Sequence, residues 1–135
     1  MTIPAQGIFG PKVMIINEMA RSGGDHLAYM FRKAGLGQLV GKRTYGAMAG
    51  ACASDHLLDG SLVFISNCAN YTPDGTWIEN NGVAPDIDVI NDPLSGGDAQ
   101  LEAAIRVTME LLTKRPASLP PHHPPYPRYQ RSWNW

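Results

Sequence analysis

Residues 12–31, KVMIINEMARSGGDHLAYMF, are the stretch that decides the fold. Its first part, Lys12–Ile16, is a short apolar run rich in branched side chains, which predicts a strand buried on both faces. From Ser22 onward the apolar residues follow helical spacing. They are Leu27, Met30, Phe31 and Ala34. Gly35 is placed to end this helix as a C-terminal cap, so the stretch predicts a strand, a turn and a helix.

A serine at the start of the predicted helix is the first candidate for chemistry. At a helix N-terminus the first N–H groups lack internal partners and the helix dipole is positive. An oxyanion formed on a substrate carbonyl beside Ser22 would therefore be held by the N–H of Gly23. The same residues also have a purely structural interpretation, because Ser22 or Asp25 is a preferred N-cap. The residues by themselves leave both interpretations open.

A second strand is predicted at residues 38–43, directly after the glycine-rich turn. The strand-helix-strand unit should be parallel and right-handed. Ser22 then faces the C-terminal edge of the sheet, where open α/β sheets bind ligands. Residues 44–55 are rich in Gly and Ala, which suits either a substrate-binding loop or a mobile connection.

Two turns organise the middle of the chain. Asp59-Gly60 predicts an antiparallel hairpin between residues 56–58 and 61–65, and residues 72–75 predict a second tight turn. Glu79 follows two apolar residues and precedes polar ones. It is either a partly buried carboxylate that orients a hydroxyl group or an exposed acid in a turn.

The C-terminal part of the domain is predicted to be a strand and a helix. Residues 85–90 alternate as a half-buried strand does, and Asp98 caps a helix that runs to Lys114 and covers a sheet face. Its predicted buried stripe is Leu101, Ala104, Ile105, Thr108, Leu111 and Leu112. We assign residues 1–115 to the domain and 116–135 to a proline-rich tail of polyproline II conformation. The tail is either disordered or a clamp on a neighbouring surface.

Composition limits the function classes. The 135 residues are 44% hydrophobic and 17% charged, which predicts one globular domain with one core. The formal net charge of -1 gives no reason to expect a nucleic-acid or acidic-membrane surface. No apolar run approaches the roughly 20 residues that span a bilayer, and no signal peptide is visible.

Cysteine and histidine usage gives two further expectations. Cys52 and Cys68 lie too far apart for a CxxC motif, so we predict reduced thiols in a cytoplasmic protein. No metal or organic cofactor is implied, because His and Cys are not clustered at ligand spacing and no phosphate loop is present.

Four segments resemble the C-terminal part of the catalytic domain of tail-specific (C-terminal processing) serine peptidases, and most closely their tricorn-type branch. The segments are NEMARSGGDHLAYMFRKAGLG (17–37), LVGKRTYG (39–46), DGTWIENNGVAPDIDV (74–89) and DAQLEAAI (98–105). They extend over roughly residues 11–112. The resemblance implies an α/β fold, namely the crotonase/ClpP-like catalytic subdomain of these proteases, with a mixed sheet.

The resemblance also implies roles for individual residues. Ser22 corresponds to the nucleophile, Gly23 to the oxyanion-hole donor, and Glu79 to the acid of a Ser-His-Ser-Glu relay. The tricorn branch usually has Asp at the position of Gly23, so the N–H is kept here and the side chain is not. The implied reaction is hydrolysis of a peptide or unfolded polypeptide through an acyl-enzyme, without a cofactor. We also expect a homo-oligomer, and no nucleic-acid or membrane partner.

The general base is missing from this pattern. The four histidines are His26, His56, His122 and His123, and none is well placed. His26 lies one turn beyond Ser22, where the helix N-terminus disfavours a charged imidazole. In the family, the histidine and the second serine of the relay lie well upstream of the nucleophile. We therefore expect either the C-terminal piece of a longer peptidase or a truncated product without activity of its own.

Two other functions fit the sequence. A non-catalytic module would keep the fold and bind a peptide or a sister subunit through residues 44–55 or the tail. A crotonase-like acyl-CoA enzyme would share the oxyanion site but would not need a serine nucleophile.

Overall fold

The computed structural model describes residues 7–117, so most of the predicted tail lies outside the described residues. Within this range the chain has an α/β fold. Its strands are β1 (Lys12–Ile16), β2 (Gly37–Gly41), β3 (Ala53–His56), β4 (Leu62–Ile65) and β5 (Ile87–Asp88). Its helices are α1 (Gly23–Lys33) and α2 (Ala99–Lys114). Neither helix has the length and apolar character that a membrane crossing would need.

The larger sheet is parallel and has the order β1-β2-β5. Lys12 pairs with Gly37 and Ile16 with Gly41, so β1, α1 and β2 form the predicted parallel strand-helix-strand unit. The prediction that β1 is buried on both faces is wrong. Ile16 is buried but Ile15 is 40% exposed, because Ile15 lines an open groove between β1 and α2.

The core lies on both faces of β2. Leu39 and Val40 are both fully buried, and neighbouring residues of a strand point to opposite faces of the sheet. Leu39 belongs to a cluster with Ala28 and Phe31 of α1. Val40 packs with Ala103 and Ala104 of α2, so α2 covers a sheet face as predicted. The N-terminus of α1 is thereby fixed at the C-terminal end of the parallel strands.

The buried helix faces differ from the predicted ones. Helix α1 buries Asp25, Ala28 and Phe31, while Leu27 and Met30 are 60% and 49% exposed. Helix α2 buries Gln100, Ala103, Ala104 and Val107, while Leu101 and Ile105 are 46% and 55% exposed. Of the two predicted faces, only Phe31 and Ala104 are buried. Ala28, Ala103 and Ala104 are buried against the sheet because small side chains let a helix approach it closely.

The predicted caps are partly confirmed. Asp98 accepts a hydrogen bond from the N–H of Leu101 at 2.9 Å and so caps α2. Gly35 follows α1 with a φ of 62°, which is the left-handed conformation of a glycine cap. Ser22 occupies the N-cap position of α1 but makes no side-chain capping bond.

The predicted hairpin is confirmed, with β3 and β4 antiparallel and His56 opposite Leu62. The prediction of reduced thiols is wrong, because Cys52 and Cys68 form a disulfide with a Cα–Cα distance of 5.7 Å. The hairpin explains their proximity. Cys68 forms an antiparallel bridge with Gly50, which is close to Cys52 in the sequence. The two cysteines therefore lie opposite each other at the open end of the hairpin.

Candidate active site

Ser22 has the backbone conformation expected of a strained strand-to-helix turn. Its φ of 49° and ψ of -106° lie outside the regions that residues with a side chain prefer. Residues held in this way cluster at functional sites, and a sharp turn of this kind exposes the nucleophile of α/β-hydrolases. The hydroxyl does not cap α1, so the capping interpretation of Ser22 is wrong.

Gly23 is the first residue of α1 and is exposed. Its N–H belongs to the first turn, where no partner exists within the helix. A Cβ placed on Gly23 would meet no atom within 4 Å. The backbone at this position therefore has room for the Cβ of the Asp that is usual in the tricorn branch, and it does not need to differ because Gly23 stands here.

Asp25 is fully buried and is also not a cap of α1. Its Oδ1 accepts a hydrogen bond from the N–H of Gly46 at 2.8 Å, and its Oδ2 accepts one from the N–H of Ala47 at 3.1 Å. A buried carboxylate requires such donors, because burial of an unpaired charge is strongly unfavourable. Asp25 thus connects the first turn of α1 to the loop after β2.

Glu79 holds the next part of that loop. Its Oε2 accepts hydrogen bonds from the N–H groups of Met48 and Ala49, each at 2.5 Å. The side chain is partly buried, so the predicted environment is confirmed and the exposed turn acid is not observed. Oε1 accepts no hydrogen bond from any residue between 7 and 117, which leaves one carboxylate oxygen for a further donor.

The four residues Gly46–Ala49 are therefore held by two carboxylates, and we call them the bridging segment. Its carbonyl groups are bound as well. The carbonyl of Ala47 accepts the N–H of Ser22 at 3.0 Å, and that of Gly46 accepts the N–H of Asn80 at 2.7 Å. The bridging segment thus connects the backbone of Ser22 to the carboxylate of Glu79. The alternative of a mobile connection over residues 44–55 therefore does not describe Gly46–Ala49, which is hydrogen-bonded throughout.

Glycine is required at the start of the bridging segment. Gly46 has a φ of 83°, and a Cβ on it would lie 2.5 Å from the backbone nitrogen of Gly82. Next to it, the N–H of Tyr45 donates to the carbonyl of Ala20, and the guanidinium of Arg21 lies 4.3 Å from the centre of the Tyr45 ring. These contacts hold the turn before α1 against the bridging segment.

Neither of the two described histidines, His26 and His56, makes an imidazole hydrogen bond to Ser22. His56 lies on the exposed strand β3 of the hairpin. His26 contacts Ser22 through its backbone N–H, which donates to the Ser22 carbonyl in the first turn of α1. Between residues 7 and 117 no hydrogen bond joins an imidazole to the Ser22 hydroxyl. His122 and His123 lie outside the described residues.

A cavity of about 420 Å³ opens beside this arrangement, within the size range of ligand sites. Helix α1, the bridging segment and the turn at residues 70–73 form its walls. Its lining residues are His26, Tyr29, Met30, Lys33, Met48, Asn70, Tyr71, Thr72, Pro73 and Ile78. No group of three His, Cys, Asp or Glu residues in the described range is arranged to hold a metal ion.

Comparison with known proteins identifies the family. The family model described as Peptidase family S41 matches residues 4–89, which is more than half of the chain. The chain belongs to peptidase family S41. The matched residues include Ser22, the bridging segment and Glu79, so the resemblance to tail-specific serine peptidases is confirmed.

Individual S41 relatives agree with this assignment. The tricorn protease of Thermoplasma acidophilum is 36% identical over 121 residues, which are 87% of this chain. A crystal structure of the tricorn protease matches 77% of this chain with a TM-score of 0.72 and 37% identity. The photosystem II D1 C-terminal processing protease matches 73% of this chain and 24% of its own, with a TM-score of 0.52 and 31% identity. The expected α/β fold of tail-specific proteases is thus confirmed.

The matched region is a small part of these relatives. The chain covers 11% of the length of the tricorn protease in both the sequence and the structure comparison. The likeness therefore extends over one section of a much larger protein.

Proposed function

We propose that this chain carries the nucleophile and the relay acid of a serine peptidase, with Ser22 as nucleophile. The Ser22 hydroxyl attacks the carbonyl carbon of a peptide bond and gives its proton to the general base. The C–N bond then breaks as the protonated base passes that proton to the leaving amine. Water then hydrolyses the resulting acyl-enzyme. The observation that carries the proposal is the strained conformation of Ser22, whose N–H is bound to a loop that Glu79 also holds.

The oxyanion of the tetrahedral intermediate would be stabilised at the start of α1. The N–H of Gly23 directly follows the nucleophile and has no partner within the helix, and the helix dipole adds a favourable field. Because a Cβ on Gly23 would meet nothing within 4 Å, the space beside this N–H is open to a substrate carbonyl.

Glu79 would act as the relay acid through its second oxygen. Oε2 is occupied by the amides of Met48 and Ala49, which fix the position of the carboxylate. Oε1 is then available to orient the hydroxyl of the second serine in the relay. That hydroxyl in turn orients the histidine, and the negative charge favours the imidazolium that forms during acylation.

The base and the second serine would come from polypeptide outside the described residues. This follows the family pattern and the absence of an imidazole bound to Ser22 between residues 7 and 117. On this proposal the chain is the C-terminal part of a larger peptidase that forms a homo-oligomer. Its substrate is a peptide or an unfolded polypeptide, and the cavity beside α1 receives one of the substrate side chains.

A cytoplasmic location stays a prediction. The Cys52–Cys68 disulfide is an observation against it, because reducing compartments keep structural thiols free.

Replacement of Glu79 by glutamine tests the relay in the complete enzyme. Glu79→Gln keeps one amide-binding oxygen and the shape of the side chain but removes the charge. Loss of the acid in a serine triad costs about 10⁴-fold in kcat, and Glu79 is one group further from the histidine, so we expect a decrease of about 10- to 10³-fold. The measurement is steady-state hydrolysis of a fluorogenic peptide.

Asp98→Asn is the matched control. Asp98 also accepts a backbone N–H, but it caps α2, and asparagine caps nearly as well as aspartate, so kcat should stay unchanged. An unaltered kcat in Glu79→Gln would contradict the relay. Glu79 would then have only the structural role of holding Met48 and Ala49. The non-catalytic module would instead be favoured if the complete wild-type protein showed no hydrolysis at all.

A further inference from the structure

Asp25 is a buried acid for which the resemblance to tail-specific peptidases implies no catalytic role. Its side chain is completely excluded from solvent, and it is the one carboxylate among the fully buried side chains of residues 7–117. It begins the buried face of α1, three residues after Ser22. A group of this kind is costly to bury, so its hydrogen-bond partners indicate what it does.

The partners of Asp25 close a ring of contacts around Ser22. From α1 the carboxylate binds the N–H groups of Gly46 and Ala47. Ala47 then returns to the start of α1, because its carbonyl accepts the N–H of Ser22 at 3.0 Å. The ring therefore runs from Asp25 to Ala47, from Ala47 to Ser22, and along the first turn of α1 back to Asp25.

This ring fixes the unusual conformation of Ser22. A φ of 49° in a residue with a side chain persists only where the surroundings determine it. The N–H of Ser22 donates to the carbonyl of Ala47, so the conformation of Ser22 depends on how Ala47 is held. Asp25 holds Ala47 through the N–H of Ala47. Glu79 holds the N–H of Met48, which lies in the same peptide plane as the Ala47 carbonyl.

A carboxylate suits this position better than its amide counterpart. Two N–H donors, from Gly46 and Ala47, point to the two oxygens of one side chain. An asparagine has one acceptor oxygen and an NH₂ group that only donates. It would leave one of the two N–H groups facing another donor, without a partner.

We infer that Asp25 is a positioning residue for the nucleophile, acting through Ala47 to hold Ser22 in its reactive orientation. The inference rests on the proposed function, in which Ser22 attacks the substrate. Asp25 binds the first two amides of the bridging segment and Glu79 binds the last two, so both carboxylates fix the Ala47 carbonyl, and Glu79 in addition faces the relay.

The test compares the reactivity of Ser22 in the complete enzyme with Asp25 intact and replaced. The readout is the second-order rate constant of labelling by a fluorophosphonate, measured well below the unfolding midpoint of each variant. We expect Asp25→Asn to lower this rate and kcat by about 10- to 10²-fold with a smaller change in KM, because small misplacements of a reacting group have effects of this size. Asp25→Glu keeps both acceptors but moves them by one methylene, so its rate should lie between those of the wild type and Asp25→Asn.

Asp86→Asn is the matched control for loss of structure. Asp86 also accepts a backbone N–H, that of Leu39 at 2.7 Å, and it binds Arg32, but its contacts lie away from the bridging segment. We expect a lower melting temperature with a labelling rate within about two-fold of the wild type, as for changes distant from the reacting groups. An Asp25→Asn enzyme that is less stable but labels at the wild-type rate would overturn the inference. If Asp25→Asn does not fold, Asp25→Glu takes its place, and faster exchange of the Ser22 amide at a wild-type labelling rate would overturn the inference.

Hydrogen exchange separates this inference from the proposed function. Exchange of the Ser22 amide reports its bond to Ala47 and needs no catalytic activity. We expect faster exchange at Ser22 in Asp25→Asn and wild-type exchange at Ser22 in Asp86→Asn. If the wild type labels poorly but Asp25→Asn loosens the Ser22 amide, the proposed function fails and the contact ring stands. Unchanged protection of Ser22 in Asp25→Asn would overturn the ring itself.

Discussion

Replacement of Ser22 by glycine is expected to raise the thermal stability of the protein. The φ of 49° and ψ of -106° place Ser22 in a region that costs a residue with a Cβ about 1–3 kcal/mol. Glycine removes this strain but loses more chain entropy on folding, which costs about 0.5–1 kcal/mol. The net effect of Ser22→Gly should be a stabilisation of about 0.5–2 kcal/mol.

Thermal melting followed by circular dichroism measures this change. For a domain of this size 1 kcal/mol corresponds to a shift of about 4 °C, so Tm should rise by about 2–8 °C. Ser22→Ala is the control. It keeps the Cβ and loses no capping bond, since the structure shows none, and its stability should stay within about 0.5 kcal/mol of the wild type. A helix cap would give the opposite order, with alanine about 0.5–2 kcal/mol less stable and glycine less affected, and that result would refute the reasoning.

Two further predictions concern the bridging segment and the base. Gly46→Ala should destabilise the protein by more than about 1 kcal/mol, because it adds a Cβ at a φ of 83° and 2.5 Å from the Gly82 nitrogen; Gly75→Ala, at a φ of 80° but in open space, isolates the cost of the φ alone in the same melting experiment. The 135-residue chain by itself should show negligible peptidase activity, because general-base assistance contributes roughly 10²–10⁴-fold to such a reaction. Robust Ser22-dependent turnover by the purified chain would mean that one of its own histidines is the base.

The central strand-helix-strand unit could be predicted from the sequence because its signals are local. A short branched run, a serine and two glycines, a helical spacing and a glycine cap all lie within residues 12–37. The hairpin and the cap of α2 are equally local. In each case one turn or one cap residue determines the boundary.

The buried faces could not be read from hydrophobicity. The apolar pattern of α1 favours Leu27 and Met30, yet the helix buries Ala28 and Asp25. Close approach to a sheet favours small residues, and Asp25 is tolerated inside because the amides of Gly46 and Ala47 are brought to it by the fold. Those contacts span 21 and 22 residues, and no local pattern encodes them.

The disulfide was missed for a related reason. Spacing along the chain says little about distance in space, and the two cysteines, which are 16 positions apart, enclose the whole hairpin. The signal was present in the predicted turn. Asp59-Gly60 lies near the midpoint of the two cysteines, so an antiparallel arm around it brings them together.

The most direct test of the account is the covalent capture of Ser22. The complete enzyme is treated with a fluorophosphonate, digested, and analysed by mass spectrometry for the peptide that contains Ser22. We expect one adduct, located on Ser22, and no labelling of the Ser22→Ala enzyme. Labelling that persists in Ser22→Ala, or an adduct on another residue of an active enzyme, would contradict the assignment of Ser22 as the nucleophile.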